Sequence, residues 1–175
     1  MKIYNNFNIG KNHKNSVIAI GNFDGIHSGH QKVIVQAKQK AKKNKLPLGL
    51  ITFEPMPIMF FNSQIKNHRI NSLVQKKIQL EKFKLDFLII IKFNKFFSLL
   101  SAEHFIKRIL CNKIKSKYIF VSKNFKFGKK RKGNINTLKK FQNTCGFKTI
   151  VTSPLKNSKR IISSSLIRRK ISLGK

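Results

Sequence analysis

Carboxylates are scarce: Asp24, Glu54, Glu81, Asp86 and Glu103 are the five acidic residues of a 175-residue chain with 38 lysines and arginines and a formal net charge of +33. That argues against a paired-carboxylate glycosidase site, which needs two acidic groups facing one bond. Only two cysteines occur, Cys111 and Cys145, without a metal-ligand spacing, which suits a cytoplasmic protein with reduced thiols. The longest apolar runs, Phe87–Ile91 and Ile58–Phe61, fall far short of the roughly 20 residues that span a bilayer. Met1–Ser16 is rich in Asn and Lys and has no apolar signal-peptide segment. There is no internal repeat, and no Pro/Gly/Ser linker marks a second domain. With 41% hydrophobic residues, including 16 Phe, the chain has enough apolar side chain for one substantial core.

The basic excess is nearly all lysine, with arginine confined to six positions from Arg69 to Arg169, and the lysines are spread along the whole chain. Nucleic-acid readers favour arginine forks clustered on one element. Compositional drift explains the Lys, Asn, Ile and Phe together, whereas a binding patch explains only the Lys. Weak, nonspecific attraction to polyanions follows in either case.

Five short β-rich runs are predicted strands: Ser16–Ile20, Leu48–Phe53, Asp86–Ile91, Lys117–Val121 and Phe147–Val151. Between the first two, Val33, Ile34, Ala37 and Ala41 fall on one helical face before Pro47. Ala102, Phe105, Ile106, Ile109 and Leu110 repeat the pattern after a Ser101 cap, and Ile135, Leu138, Phe141 and Cys145 form a weaker stripe ending at Gly146. Buried strands alternating with helices predict an α/β fold: a doubly wound, Rossmann-like, five-stranded parallel sheet with helices on both faces. In such sheets ligands bind beyond the carboxyl ends of the strands, after Ile20, Phe53, Val121 and Val151.

The first such loop reads Gly21-Asn22-Phe23-Asp24-Gly25-Ile26-His27-Ser28-Gly29-His30 and leads into a helix. Its three glycines allow close approach of a ligand, and the helix start offers unpaired N–H groups and a positive dipole end to phosphate. His27 and His30, three residues apart, face one volume. Their ring nitrogens can hold phosphate oxygens and the charge that develops on them during transfer. Zinc would need a third ligand, and no spacing of His13, His68, His104, the cysteines or the carboxylates supplies one.

Gly21–His30 resembles the G-x-F-D-G-x-H-x-G-H signature of the bacterial FAD synthetase family, within the HxGH nucleotidyltransferase superfamily. Thr52-Phe53-Glu54-Pro55-Met56-Pro57 resembles that family's TFEPHP, Asn124-Phe125-Lys126-Phe127-Gly128 its DFxFG, and Ile162-Ser163-Ser164-Ser165-Leu166-Ile167-Arg168 its ISSTxIR. The four motifs span nearly the whole chain. Departures are Met56 for His, Asn124 for Asp, Ser122 for Gly and Ser165 for Thr. The resemblance implies FMN adenylyltransferase activity, ATP plus FMN giving FAD and pyrophosphate. His27 and His30 are then catalytic, acting on the ATP phosphates. Gly21, Phe23, Asp24 and Gly29 belong to ATP binding, Asn124 contacts nucleotide and the metal shell, and Ser164, Ser165 and Arg168 lie with the β/γ-phosphates. Pro55, Pro57 and Phe127 are placed at FMN. Mg²⁺ is expected to be held mainly by phosphate oxygens and water, with no protein cage.

The residues make chemical sense of this without the family name. The FMN phosphate is already a nucleophile at neutral pH, so a chain with few carboxylates needs no deprotonating base. Ser163–Ser165 form a cap-like hydroxyl cluster, with Arg168 one turn on to fork onto phosphate. Pro55 and Pro57 stiffen a wall for a flat ring. Phe125 and Phe127 beside a basic loop suit either stacking or a core position. Another HxGH nucleotidyltransferase and an inactive fold serving as a basic RNA-binding module are the alternatives. Members of the family usually continue into a riboflavin kinase barrel. The expectation from a chain that stops at Lys175 is a single domain over residues 1–175 without that barrel, drawing FMN from a separate kinase or an external source.

The charge makes one prediction directly. Binding to unrelated RNAs should be measurable at low salt and collapse by about 0.15 M salt without sequence preference, as counterion release requires. Sequence-selective binding that survives that salt would instead support the RNA module.

Overall fold

The computed structural model describes residues 1–62, 64–65, 68–153, 156–157, 160–161 and 163–174; Ile162 of the predicted phosphate segment lies outside them. A parallel sheet is built from β1 (Lys2–Tyr4), β2 (Val17–Ile20), β3 (Leu48–Glu54), β4 (Phe87–Lys92), β5 (Tyr118–Ser122) and β6 (Lys148–Thr152), in the order β1-β4-β3-β2-β5-β6. The α/β, doubly wound expectation holds, with one correction: the sheet has six strands, not five. β1 is not foreseen because it is a three-residue edge strand, Lys-Ile-Tyr, too short to show a period, exposed at Lys2 and Ile3 and paired to β4 in the register Ile3↔Leu88. A separate antiparallel pair, β7 (Lys156–Asn157) with β8 (Arg160–Ile161), was also unforeseen.

The inner strands are apolar on both faces, and alternate residues supply two cores. On one face Val17, Ala19, Leu50 and Leu88 pack under α1 (Ser28–Asn44), through Val33, Ile34, Ala37 and Ala41, and under Leu80 from a later helix (Leu73–Glu81). On the other, Ile18, Ile51, Ile89 and Ile119 pack against Phe105, Ile106, Ile109 and Leu110. These last four lie on a π-helical stretch, Phe105–Lys113, that continues a short helix (Ala102–His104) begun by the predicted Ser101 cap, whose hydroxyl accepts from the His104 amide at 3.1 Å. The third predicted stripe divides into Ile135–Lys140 and Gln142–Cys145, stopped by Gly146 at φ 65°.

The chain order reverses at β2, whose neighbours are β3 on one side and β5 on the other. That makes the carboxyl end of β2 the topological switch point, where the helices diverge to opposite faces and leave a crevice. The loop after Ile20 opens into it.

Gly49 on β3 lies opposite Phe87 on β4, and a methyl group added there would overlap the Phe87 ring. Gly49→Ala should therefore cost about 1–3 kcal/mol from overpacking, read as a lower urea midpoint. An unchanged midpoint would show that the ring can move aside.

Candidate active site

The loop from β2 into α1 turns sharply because three consecutive or near-consecutive residues take left-handed backbone angles: Phe23 (φ 48°), Gly25 (φ 77°) and Ile26 (φ 34°). Only glycine fits at 25, since a Cβ would stand 2.9 Å from Ile70 Cδ1. The turn drives Phe23 and Ile26 into the core, at 1% and 4% exposure. Phe23 thereby becomes the side wall of the His30 ring, 5.3 Å between centroids. Gly21 is fixed to β3 by its amide, which donates to the Ile51 carbonyl at 3.1 Å.

His27 is the N-cap residue of α1, yet its side chain makes no capping bond, and no acidic residue occupies the first turn. The first-turn amides, Gly29 and His30 among them, have no acceptor within the helix, as at any helix start. The two imidazoles stack at 3.7 Å between centroids, and the Nδ1 atoms of both are buried without a hydrogen-bond partner among the described residues. Burial pushes His30 down to about 3, helped by His27 and Lys76 nearby. His27 is lowered as well, by burial against the opposing pull of Asp24. The pair is therefore neutral at pH 7, with a ring N–H to donate on each imidazole.

Asp24 is 2% exposed and its oxygens are taken. Oδ1 accepts from the amides of Ile70 and Asn71 at 3.0 and 3.4 Å, and Oδ2 from Arg168 Nη2 at 2.7 Å. Arg168 sits on α8, which we number after α2 (Pro57–Phe61), α3 (Leu73–Glu81), α4 (Lys95–Ser98), α5 (Ala102–His104), α6 (Ile135–Lys140) and α7 (Gln142–Cys145) and which spans Ser164–Ser172. Its Nε donates to the His68 carbonyl at 2.7 Å, so the guanidinium is held at the turn by protein acceptors. Ser163 caps α8 by accepting from the Leu166 amide, while Ser164 Oγ donates to the Asp24 carbonyl at 3.0 Å. Ser165 is exposed.

Across the crevice, β3 ends in Glu54, which pairs with Arg69. Pro55 and Pro57 follow partly exposed, with Pro57 opening α2. Met56 between them is 2% exposed, so the position that carries His in the family motif is an apolar anchor here. Phe61 at the end of α2 is 68% exposed and clusters edge-on with Phe60 and Phe93. After β5, Asn124 is exposed; Phe127 is partly buried, stacked on Phe125 at 5.3 Å and packed against Phe105. Phe127 also exchanges both backbone bonds with Gly133, closing the basic loop between them.

Sequence reasoning missed Phe61 and Lys76. The first lies four residues past Pro57, in the apolar run Ile58-Met59-Phe60-Phe61. The second lies on α3, whose start is signalled by a capping box: Ser72 Oγ accepts from the Gln75 amide while the Gln75 side chain accepts from the Ser72 amide.

The FAD synthetase family model matches residues 9–166 of the chain. A bifunctional riboflavin kinase/FMN adenylyltransferase of Buchnera aphidicola subsp. Schizaphis graminum is 42% identical over 163 residues, 93% of this chain and 52% of that protein. The Escherichia coli K12 protein of the same name is 30% identical over 87% of this chain and 49% of its own length. The chain thus spans about half the length of the curated relatives it matches. A solved Streptococcus pneumoniae structure, titled a macrolide-efflux protein, superposes with a TM-score of 0.82 at 27% identity, over 97% of this chain and 56% of the other. Among the described residues no helix is long and apolar enough to cross a membrane. A pantoate-beta-alanine ligase from Francisella tularensis, at TM-score 0.61 and 16% identity over 99% of this chain and 76% of the other, shares the fold.

The lowered His30 sets a pH dependence of stability. In the unfolded chain the imidazole takes up a proton near pH 6.5, in the folded chain only near pH 3. Between those values the unfolded state binds more protons, so stability falls as the pH drops, by up to about 1.4 kcal/mol per pH unit from this group. Chemical denaturation of wild type and His30→Gln from pH 7 to 4 should give a shallower loss in the variant. Equal slopes would mean that His30 is not held neutral.

Proposed function

The chain belongs to the FAD synthetase family, and from that premise we propose that it is an FMN adenylyltransferase, moving AMP from ATP to FMN to give FAD and pyrophosphate. The observation that carries this reading is the uncapped start of α1 with two stacked neutral imidazoles whose buried Nδ1 atoms lack partners among the described residues. Such a set suits the oxygens of a polyphosphate. In the reaction an FMN phosphate oxygen forms a bond to the α-phosphorus as the bond from that phosphorus to the bridging oxygen of pyrophosphate breaks. No proton has to be removed from the nucleophile. His27 and His30 donate N–H groups to oxygens on which charge builds, and the first-turn amides, Gly29 among them, add the helix dipole. Gly21 lets the backbone approach the nucleotide, while Phe23 and Asp24 serve it indirectly, Phe23 by walling His30 and Asp24 by fixing the turn.

Ser164, Ser165 and Arg168 are assigned to the β/γ-phosphates. Arg168 reaches the turn already, and a triphosphate would compete with Asp24 for its fork. Pro55, Pro57 and the exposed Phe61 offer one wall to a flavin ring and Phe127 another. Mg²⁺ fits the donor chemistry only as a companion of the substrate. Asp24 and Glu54, the carboxylates at the site, are both paired to arginines, and among the described residues no group of three or more potential metal ligands occurs. Asn124 would supply a carbonyl oxygen beside phosphate and water ligands, and the ion would neutralise charge on the departing pyrophosphate. A cytoplasmic location fits this substrate pair.

Purified protein incubated with FMN, ATP and Mg²⁺ should form FAD and pyrophosphate in equal amounts, followed by chromatography. His27→Ala and His30→Ala should each lower kcat at least about tenfold, the scale of a lost transition-state hydrogen bond, with His13→Ala as a silent control. Absence of FAD, or wild-type kcat in both variants, would overturn the assignment.

A further inference from the structure

Lys76 is a lysine at 2% exposure on α3, beneath the β2–α1 turn. Its ammonium donates to the Asn22 carbonyl at 2.9 Å, the same oxygen that receives the Thr52 hydroxyl at 3.0 Å. Burying an ammonium is costly unless a carboxylate answers it. Here none does directly. Glu54 is taken by Arg69 and Asp24 by Arg168, and among the described residues Lys76 makes no ion pair. A methionine or leucine would fill the same volume without that cost. Among the described residues the ammonium is thus met directly by a carbonyl and only at a distance by carboxylates, at the turn where polyphosphate would arrive.

We propose that Lys76 is a positioning residue for adenylyl transfer, its buried ammonium holding the Asn22 carbonyl and so the shape of the turn, and keeping positive potential under the phosphate site that the incoming triphosphate completes. This rests on the adenylyltransferase reading. The groups that face it are Glu54 and Asp24, which favour its charge, and Arg69 and His30, which oppose it. Burial pulls Lys76 below the ordinary lysine range. As the pH rises through that lowered value the ammonium becomes neutral, and the rate falls with it. A merely structural lysine would leave the alkaline side of the profile to other groups.

The test is the pH dependence of kcat for FAD formation in wild type, Lys76→Arg and Lys76→Met, with melting temperatures as a check on folding. Wild type should lose rate at alkaline pH before ordinary lysines titrate. Lys76→Arg should retain turnover within about tenfold and carry the alkaline fall to higher pH, because guanidinium does not titrate there. Lys76→Met should drop kcat at least about tenfold, with FMN KM changed less. Superimposable wild-type and Lys76→Arg profiles would overturn the proposal, even if Lys76→Met failed to fold. A second readout needs no activity. In the ligand-free protein, NMR titration of the His30 ring should show a higher pKa in Lys76→Met than in wild type, though burial still lowers it, and no change in Lys76→Arg. Wild type that made no FAD would strike the adenylyltransferase reading, and the His30 titration would then test by itself whether the Lys76 charge acts at the turn, an unmoved His30 in Lys76→Met overturning it.

Discussion

The buried carboxylate of Asp24 joins three parts of the chain that share no secondary structure. It lies at the tightest point of the β2–α1 turn, takes two amides from residues 70 and 71, and receives the guanidinium of Arg168 from the last helix. The turn has three left-handed residues, so it has little intrinsic preference for its shape and depends on what grips it. Asp24 grips it from below, Thr52 and Lys76 hold its Asn22 carbonyl, and Ser164 takes the Asp24 carbonyl. Removing a charged hydrogen-bonded partner from such a buried set leaves the others unpaired, which costs more than the bonds themselves. The orientation of His27 and His30 is inherited from this clamp.

The sheet explains why the clamp stands where it does. Reversal of chain order at β2 leaves the crevice at its carboxyl end, and α1 starts there with its amides pointing inward. In a chain of +33 net charge, repulsion between cations is the general difficulty, and two of the five carboxylates are spent pairing the arginines that border this crevice. Among the described residues, the groups left without a partner around the turn are the two imidazole Nδ1 atoms and the Asn71 side-chain oxygen, with the Lys76 ammonium held by a carbonyl and no carboxylate. An anionic ligand is the natural complement, and neutral histidines keep the site from becoming a still denser cluster of cations.

Much of this was legible in the sequence. Apolar runs such as Phe87–Ile91 stay apolar on both faces only in a covered parallel strand, and Val33, Ile34, Ala37 and Ala41 have a spacing only a helix explains. The β2–α1 turn was legible as a candidate site because glycine, histidine and a helix start are local features. The edge strand Lys2–Tyr4 was not, since three residues, two of them exposed, are too few to show a strand period. Nor was the work of Asp24, whose partners lie 46 and 144 residues away. Lys76 escaped for a related reason: on a helix surface a lysine reads as solvated, and only the packing of α3 under the turn makes it internal.

The central claim is that the start of α1 and the two histidines form the polyphosphate site. Backbone and imidazole NMR of the ¹⁵N-labelled protein, titrated with a non-hydrolysable ATP analogue and Mg²⁺, tests it directly. The largest shifts should fall on the amides of Ser28, Gly29 and His30 and on the rings of His27 and His30, with the Arg168 side chain moving as its fork is contested. Saturable binding whose shifts leave residues 21–30 untouched would contradict the account.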